Sequence, residues 1–97
     1  MGATVGQIVK RQAKKLGERE GGSRLSWREI GRRGELHWST VKKFGNDEFR
    51  PNPRAEAVLP SLAQALPTDD CPSEQLLDEL RAAYAEAERQ GEGRDEG

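Results

Sequence analysis

The sequence predicts an all-α fold: a small domain of four to five helices followed by a C-terminal amphipathic helix. Three observations carry this. Apolar residues recur at helical i, i+3, i+4 spacing along the chain. Good N-cap residues (Thr4, Ser26 and Asn52) stand just ahead of three of these stretches. Glycine- or proline-rich breaks separate them. Only 33% of the 97 residues are hydrophobic and 34% are charged, so the core must be small. A chain of this size folds alone only with well-formed helices, or by pairing with a copy of itself.

The first helix is expected from Val5, with Thr4 as its cap. Val5, Ile8, Val9, Ala13 and Leu16 share its apolar face, and Gly17 is placed to end it. Residues 18–24 form a polar loop. Ser26 caps a second helix, Trp27 to about Arg33. Glu29 stands three residues on, as a capping box requires, and Leu25 and Ile30 stand as a hydrophobic staple. Gly34-Glu35-Leu36 reads as a turn. A third helix follows, from His37 or Trp38 to Phe44, with Val41 and Phe44 pointing inward. The EFRPNP stretch is extended, because residues before proline avoid the helical region. Asn52 and Pro53 then supply a cap and an N1 proline. That fourth helix carries Ala57, Val58, Leu59, Leu62, Ala63 and Leu66, and Pro60 inside it should kink or divide it. A last helix runs from Pro72 to about Gln90 on a stripe of Leu76, Leu77, Leu80, Ala83, Tyr84 and Ala87. The GEGRDEG segment has nothing to bury. The organisation is therefore residues 1–67 as the domain, 68–90 as the C-terminal helix, and 91–97 as a disordered tail.

The formal net charge of −1 hides an asymmetry. Residues 1–54 hold 13 Lys and Arg against 6 Asp and Glu, a balance of +7, and residues 55–97 carry −8. A basic half fused to an acidic half points to a nucleic-acid partner, or to basic side chains that merely solvate helix faces. The lone Cys71 allows neither an intrachain disulfide nor a metal-binding cysteine set, which suits a reducing, cytoplasmic setting, and it is expected to cap or pack at the start of the last helix. No apolar run approaches the ~18–20 residues that span a bilayer, and no signal-peptide pattern opens the chain. Met1-Gly2 begins a myristoylation pattern, but the sixth position is Gly6 rather than Ser or Thr. His37, the only histidine, has no partners for a catalytic or metal role and reads as a surface or N-cap residue. There is no phosphate-cradling glycine loop, no nucleophile paired with a base, and no carboxylate pair in an apolar setting. An enzyme is not expected, nor is a metal, cofactor or small-molecule ligand.

The segment LSWREIGRRGELHWSTVKKF resembles the helix-turn-helix of the lambda-repressor-like (Xre/Cro) family. Leu25, Ser26, Ile30, Gly31, Leu36, Ser39, Thr40, Val41 and Phe44 fall on the family's positions without a gap. RPNPRAEAVLPSLAQAL looks like its fourth and fifth helices and Val5–Leu16 like its first, so the resemblance covers about residues 4–66. The chain departs from the family at Glu35, where glycine is common, in the longer 18–24 loop, and at Pro60. Gly31 falls where the two helices of the motif cross, where a side chain larger than alanine would push them apart.

The resemblance implies sequence-specific binding of double-stranded DNA, with the third helix in the major groove. It places Trp38, Ser39, Thr40 and Lys43 nearest base edges. Trp27, Arg28, His37, Lys42, Asn46, Arg50 and Arg54 fall at backbone-contacting positions. Trp38 either packs on thymine methyls and sugars or covers the edge of the core or a dimer contact. Trp27 either meets phosphate or packs on the first helix. Arg32 and Arg33 are phosphate contacts or a solvated face. The implied protein is a transcriptional regulator, a repressor of phage, plasmid or bacterial origin, associated with the nucleoid. It would act as a homodimer paired through Leu76, Leu77, Leu80, Tyr84 and Ala87, or else all of that stripe folds back on a monomer. The alternative is an interaction module of the same fold, an antitoxin or adaptor acting through its last helix.

Overall fold

A computed structural model of the chain describes the backbone of residues 3–95 and the side chains as far as Gln90. Five helices follow one another: α1 (Val5–Arg19), α2 (Trp27–Gly34), α3 (Trp38–Gly45), α4 (Pro53–Ala65) and α5 (Ser73–Asp95). Among the described residues there is no strand, and the architecture is that of a small all-α domain. α5 continues into the segment 91–97 expected to be a disordered tail; Glu96 and Gly97 lie outside the described residues.

α1 starts on a complete capping box that the sequence reading did not identify. Thr4 Oγ1 accepts from the Gln7 N–H at 3.1 Å, and Gln7 Oε1 accepts from the Thr4 N–H at 3.0 Å. Asp47 adds a long-range clamp: its carboxylate accepts from the Thr4 hydroxyl at 2.7 Å and from the Gly6 N–H at 2.9 Å. A negative charge at a helix N-terminus is favourable in itself. The apolar face is the expected one, with Val5, Ile8, Val9, Ala13 and Leu16 buried. The far end differs from expectation. The helix passes through Gly17 and ends only at Arg19. Gly17 is buried, and a Cβ there would collide with the Ser23 carbonyl. Glycine is needed at this point for close approach of the returning loop. The left-handed residue that turns the chain is Gly21, at φ 85°.

α2 and α3 form the compact unit the sequence predicts. Ser26 Oγ accepts from the Glu29 N–H at 3.1 Å, but the capping box is only half made. The Glu29 carboxylate turns away to Arg32 and Arg33. Leu25 and Ile30 both lie in the core. The turn closes on Glu35 in the left-handed conformation (φ 57°, ψ 42°), and the Leu36 N–H donates to the Gly31 carbonyl at 2.7 Å. A Cβ at Gly31 would sit 2.5 Å from the Leu36 carbonyl oxygen. The crossing is therefore tighter than expected, with no room even for alanine. Gly34 meets α4 in the same way, a Cβ there lying 2.8 Å from the Ser61 carbonyl oxygen.

α4 begins as read from the sequence: Asn52 Oδ1 accepts from the Ala55 N–H at 2.8 Å, with Pro53 at N1. Pro60 does not divide it: one helix runs from Pro53 to Ala65. Pro60 is exposed, so the Glu56 carbonyl that loses its intrahelical donor is on the side reached by water. The chain then reverses through Pro67–Pro72, pinned where Thr68 and Cys71 exchange backbone hydrogen bonds of 2.9 and 3.1 Å.

α5 lies against α4 and α1, and Leu76, Leu80, Ala83 and Tyr84 belong to the same core as Ile30, Val41, Phe44, Leu59, Leu62 and Leu66. Phe49 in the extended linker joins the two ends of that core. It stacks on Phe44 at 4.7 Å and on Tyr84 at 6.0 Å, and the Tyr84 hydroxyl donates to the Asn52 carbonyl at 2.9 Å. The one fully buried polar side chain among the described residues, Gln12, is satisfied. Its amide donates to the Leu66 carbonyl at 2.9 Å and to Thr68 Oγ1 at 3.3 Å, fastening α1 to the end of α4. Beside it, Arg11 pairs with Glu79 of α5 at 3.2 Å, and the Cys71 thiol donates to the same carboxylate at 2.9 Å. Burial and that carboxylate push the Cys71 thiol up, and the hydrogen bond from Cys71 helps hold Glu79 below the usual carboxylate range.

Candidate nucleic-acid interface

α3 is only eight residues long, and its two faces are distinct. At ~100° per residue, Val41, Phe44 and Gly45 fall on one arc, and all three are buried. Ser39, Lys42 and Lys43 fall on the opposite arc, with Trp38 and Thr40 on its flanks. Lys42 and Lys43 are exposed, and neither has a carboxylate within salt-bridge distance among the described residues. Ser39 and Thr40 are half-buried. Trp38 is the one exposed large hydrophobic among the described residues, at 40% exposure. No acidic residue stands in the first turn of α3, so the helix N-terminus is uncompensated.

The sequence-predicted base-contacting set, Trp38, Ser39, Thr40 and Lys43, is thus gathered on one short helix whose inner side is locked into the core. Two of the predicted backbone-contacting residues join it directly. Arg28, exposed in the first turn of α2, lies over the Trp38 ring at 5.7 Å, a cation–π distance. His37 is the N-cap of α3: its Nδ1 accepts from the Ser39 N–H at 3.2 Å and lies 2.7 Å from Ser39 Oγ. Lys42 shares the outer face, and Asn46 caps the C-terminal end of α3. Arg50 and Arg54 are exposed in the linker and in the first turn of α4.

Trp27 behaves differently. It is half-buried and packs against α3: a Cβ on Gly45 would run into its indole ring. Arg24 covers the ring at 5.1 Å. Its neighbour is thus the last turn of α3. Arg32 and Arg33 are committed as well. Both bind Glu29, and Arg33 also takes Glu20 at 2.8 Å. Hydrogen bonds from Arg32 and then Arg33 hold the Glu29 carboxyl down at about 2. Of the arginines in α2, Arg28 alone has no carboxylate partner among the described residues.

The five residues read as a dimerisation stripe divide. Leu76, Leu80 and Tyr84 are buried in the chain's own core; Leu77 and Ala87 remain half-buried. Besides the α1 capping box, sequence reasoning missed three features. The Asp47 clamp joins residues 41 and 43 positions apart and leaves no local signal. The left-handed Glu35 and Asp47 break the preference that points to glycine. The His37–Ser39 pair was within reach, because a histidine two residues ahead of a serine at a helix start is a local pattern. Comparison with family models, curated proteins and solved structures finds no match to this chain.

Proposed function

We propose that this protein is a sequence-specific double-stranded DNA-binding transcriptional regulator in which α3 enters the major groove. The observation that carries this reading is the outer face of α3. Lys42 and Lys43 face solvent beside an exposed Trp38 and a half-buried Ser39, while Val41 and Phe44 anchor the helix beneath. Hydroxyls serve either donors or acceptors on base edges, and lysines serve guanine or phosphate. Arg28, Asn46, Arg50 and Arg54 flank that face as phosphate-positioning groups. The arrangement of residues 4–66 as a lambda-repressor-like domain, and the repressor role, rest on the resemblance carried by the 25–44 segment and by the helices on either side of it.

One short helix reads few bases, so two copies on half-sites about one helical turn apart, ~34 Å, are part of the proposal. In this fold Leu77 and Ala87 are what α5 leaves for pairing. The antitoxin or adaptor reading draws on the same face of α5, and burial of Leu76, Leu80 and Tyr84 narrows that face for either kind of partner. Selection of bound duplexes from a randomised pool, followed by gel shifts at several salt concentrations, tests the proposal. Enrichment of one motif with affinity falling steeply as salt rises is expected. Stoichiometric complex formation with a second protein, with no affinity for any duplex, would overturn it.

A further inference from the structure

The hydrogen bonds at the start of α3 set the polarity of one base-facing group. His37 Nδ1 lies 3.2 Å from the Ser39 backbone N–H and 2.7 Å from Ser39 Oγ. A backbone N–H only donates, so Nδ1 is the lone-pair nitrogen of the ring and the ring proton sits on Nε2. The Ser39 hydroxyl, on the same nitrogen, therefore gives it its only proton in a three-centre arrangement. What remains on Ser39 Oγ is lone pairs. An unconstrained serine hydroxyl serves either donors or acceptors, which is why serine ordinarily discriminates bases poorly. This one is fixed as an acceptor.

We infer that Ser39 reads an exocyclic amino group, adenine N6 or cytosine N4, at one base of the site, and that His37 is the positioning residue that imposes this preference. Guanine and thymine present only acceptors at the corresponding edge, O6 and O4, and meet lone pairs with lone pairs. The inference rests on the proposed entry of α3 into the major groove and adds a specificity rule to it. Ser39 lies on the outer arc of α3 with Lys42 and Lys43, next to the exposed Trp38.

The test is duplex selection with the full chain in four forms: wild type, Ser39→Ala, His37→Ala and His37→Asn. The wild type should favour A or C over G or T at one position of the half-site by roughly threefold to tenfold, the discrimination of a single hydrogen bond. Ser39→Ala should flatten that position alone. His37→Ala frees the hydroxyl proton and should admit G and T. His37→Asn places an amide oxygen where both donors can reach it and should restore the preference. Recovery by asparagine separates hydroxyl polarity from loss of fold, because base preference is a ratio that does not depend on the folded fraction.

The ring is checked independently on the free protein. Nitrogen chemical shifts of the ring should place the proton on Nε2. A proton on Nδ1, a wild-type preference for G or T, or equal behaviour of His37→Ala and His37→Asn would each overturn the inference while leaving DNA binding intact. Enrichment of no duplex by the wild type would instead overturn the DNA reading, and this inference with it.

Discussion

α3 and α5 are the two helices that the sequence marks as working surfaces, and the fold treats them oppositely. α3 keeps its polar face outside and buries only Val41, Phe44 and Gly45. α5 turns most of its apolar stripe inward, so that Leu76, Leu80, Ala83 and Tyr84 complete a core that the first four helices would leave open. A basic face with no carboxylate partner among the described residues is left open to solvent or to a partner outside the chain. An apolar stripe need not be, because a domain this small lacks enough apolar residues to close its core without it.

The largest effect should come from the α5 side. Leu80 is fully buried, so Leu80→Ala should destabilise by about 2–5 kcal/mol, the transfer term plus the cavity. Thermal melting checks this, with sedimentation alongside. If the variant melts like the wild type but a dimer dissociates, the stripe is an interface and the contrast with α3 fails. Gly31→Ala comes next. A Cβ 2.5 Å from the Leu36 carbonyl oxygen forces α2 and α3 apart, for an expected loss of about 1–3 kcal/mol. An unchanged melting temperature would mean that the turn tolerates what its geometry forbids.

The α3 side should respond in binding without responding in stability. Replacing Lys42 and Lys43 with alanine removes exposed side chains that have no ion-pair partner among the described residues, so melting should hardly move. Affinity for a selected duplex should fall. The log–log dependence on salt should flatten by roughly 0.9 for each phosphate that is no longer neutralised. Binding unchanged at every salt concentration would remove the lysines from the interface.

What was legible in the sequence follows the range of the interactions. Ser26, Asn52 and Thr4 announce helix starts because a cap acts over three residues. The apolar spacing of α1 and the inward pair Val41 and Phe44 are equally local. Gly17 looks like a helix stop because glycine usually is one there; only the return of Ser23 onto it, a tertiary contact, shows why the helix continues. Pro60 looks like a break because the sequence does not say which side of the helix faces water. The stripe of α5 could be seen from its spacing, but spacing does not say what covers it. At the candidate site the members of α3 could be found from the sequence, whereas the commitment of Arg32 and Arg33 to Glu29, and of Trp27 to Gly45, could not.

The smallest effect separates two residues that share a backbone conformation. Glu35 and Asp47 both sit in the left-handed region, at φ 57° and 56°. An L-residue there costs roughly 1–2 kcal/mol, which glycine avoids while giving back part in unfolded-state entropy. The Glu35 side chain is exposed and makes no hydrogen bond or ion pair among the described residues. Glu35→Gly should therefore stabilise by about 0.5–1 kcal/mol, a rise of a few degrees in melting temperature for a domain of this size. It also removes a negative charge from the turn that leads into α3, so affinity for DNA should rise slightly. Asp47→Gly relieves the same strain but deletes the carboxylate that receives the Thr4 hydroxyl and the Gly6 N–H. Charge-assisted bonds of that kind are worth about 1.5–3 kcal/mol each; even with both discounted for the exposure of Asp47, their loss outweighs the relieved strain, so Asp47→Gly should destabilise by at least about 1 kcal/mol. Paired melting curves should move in opposite directions. Movement in the same direction would mean that the α1 clamp does not form, or that Glu35 holds a contact beyond its backbone.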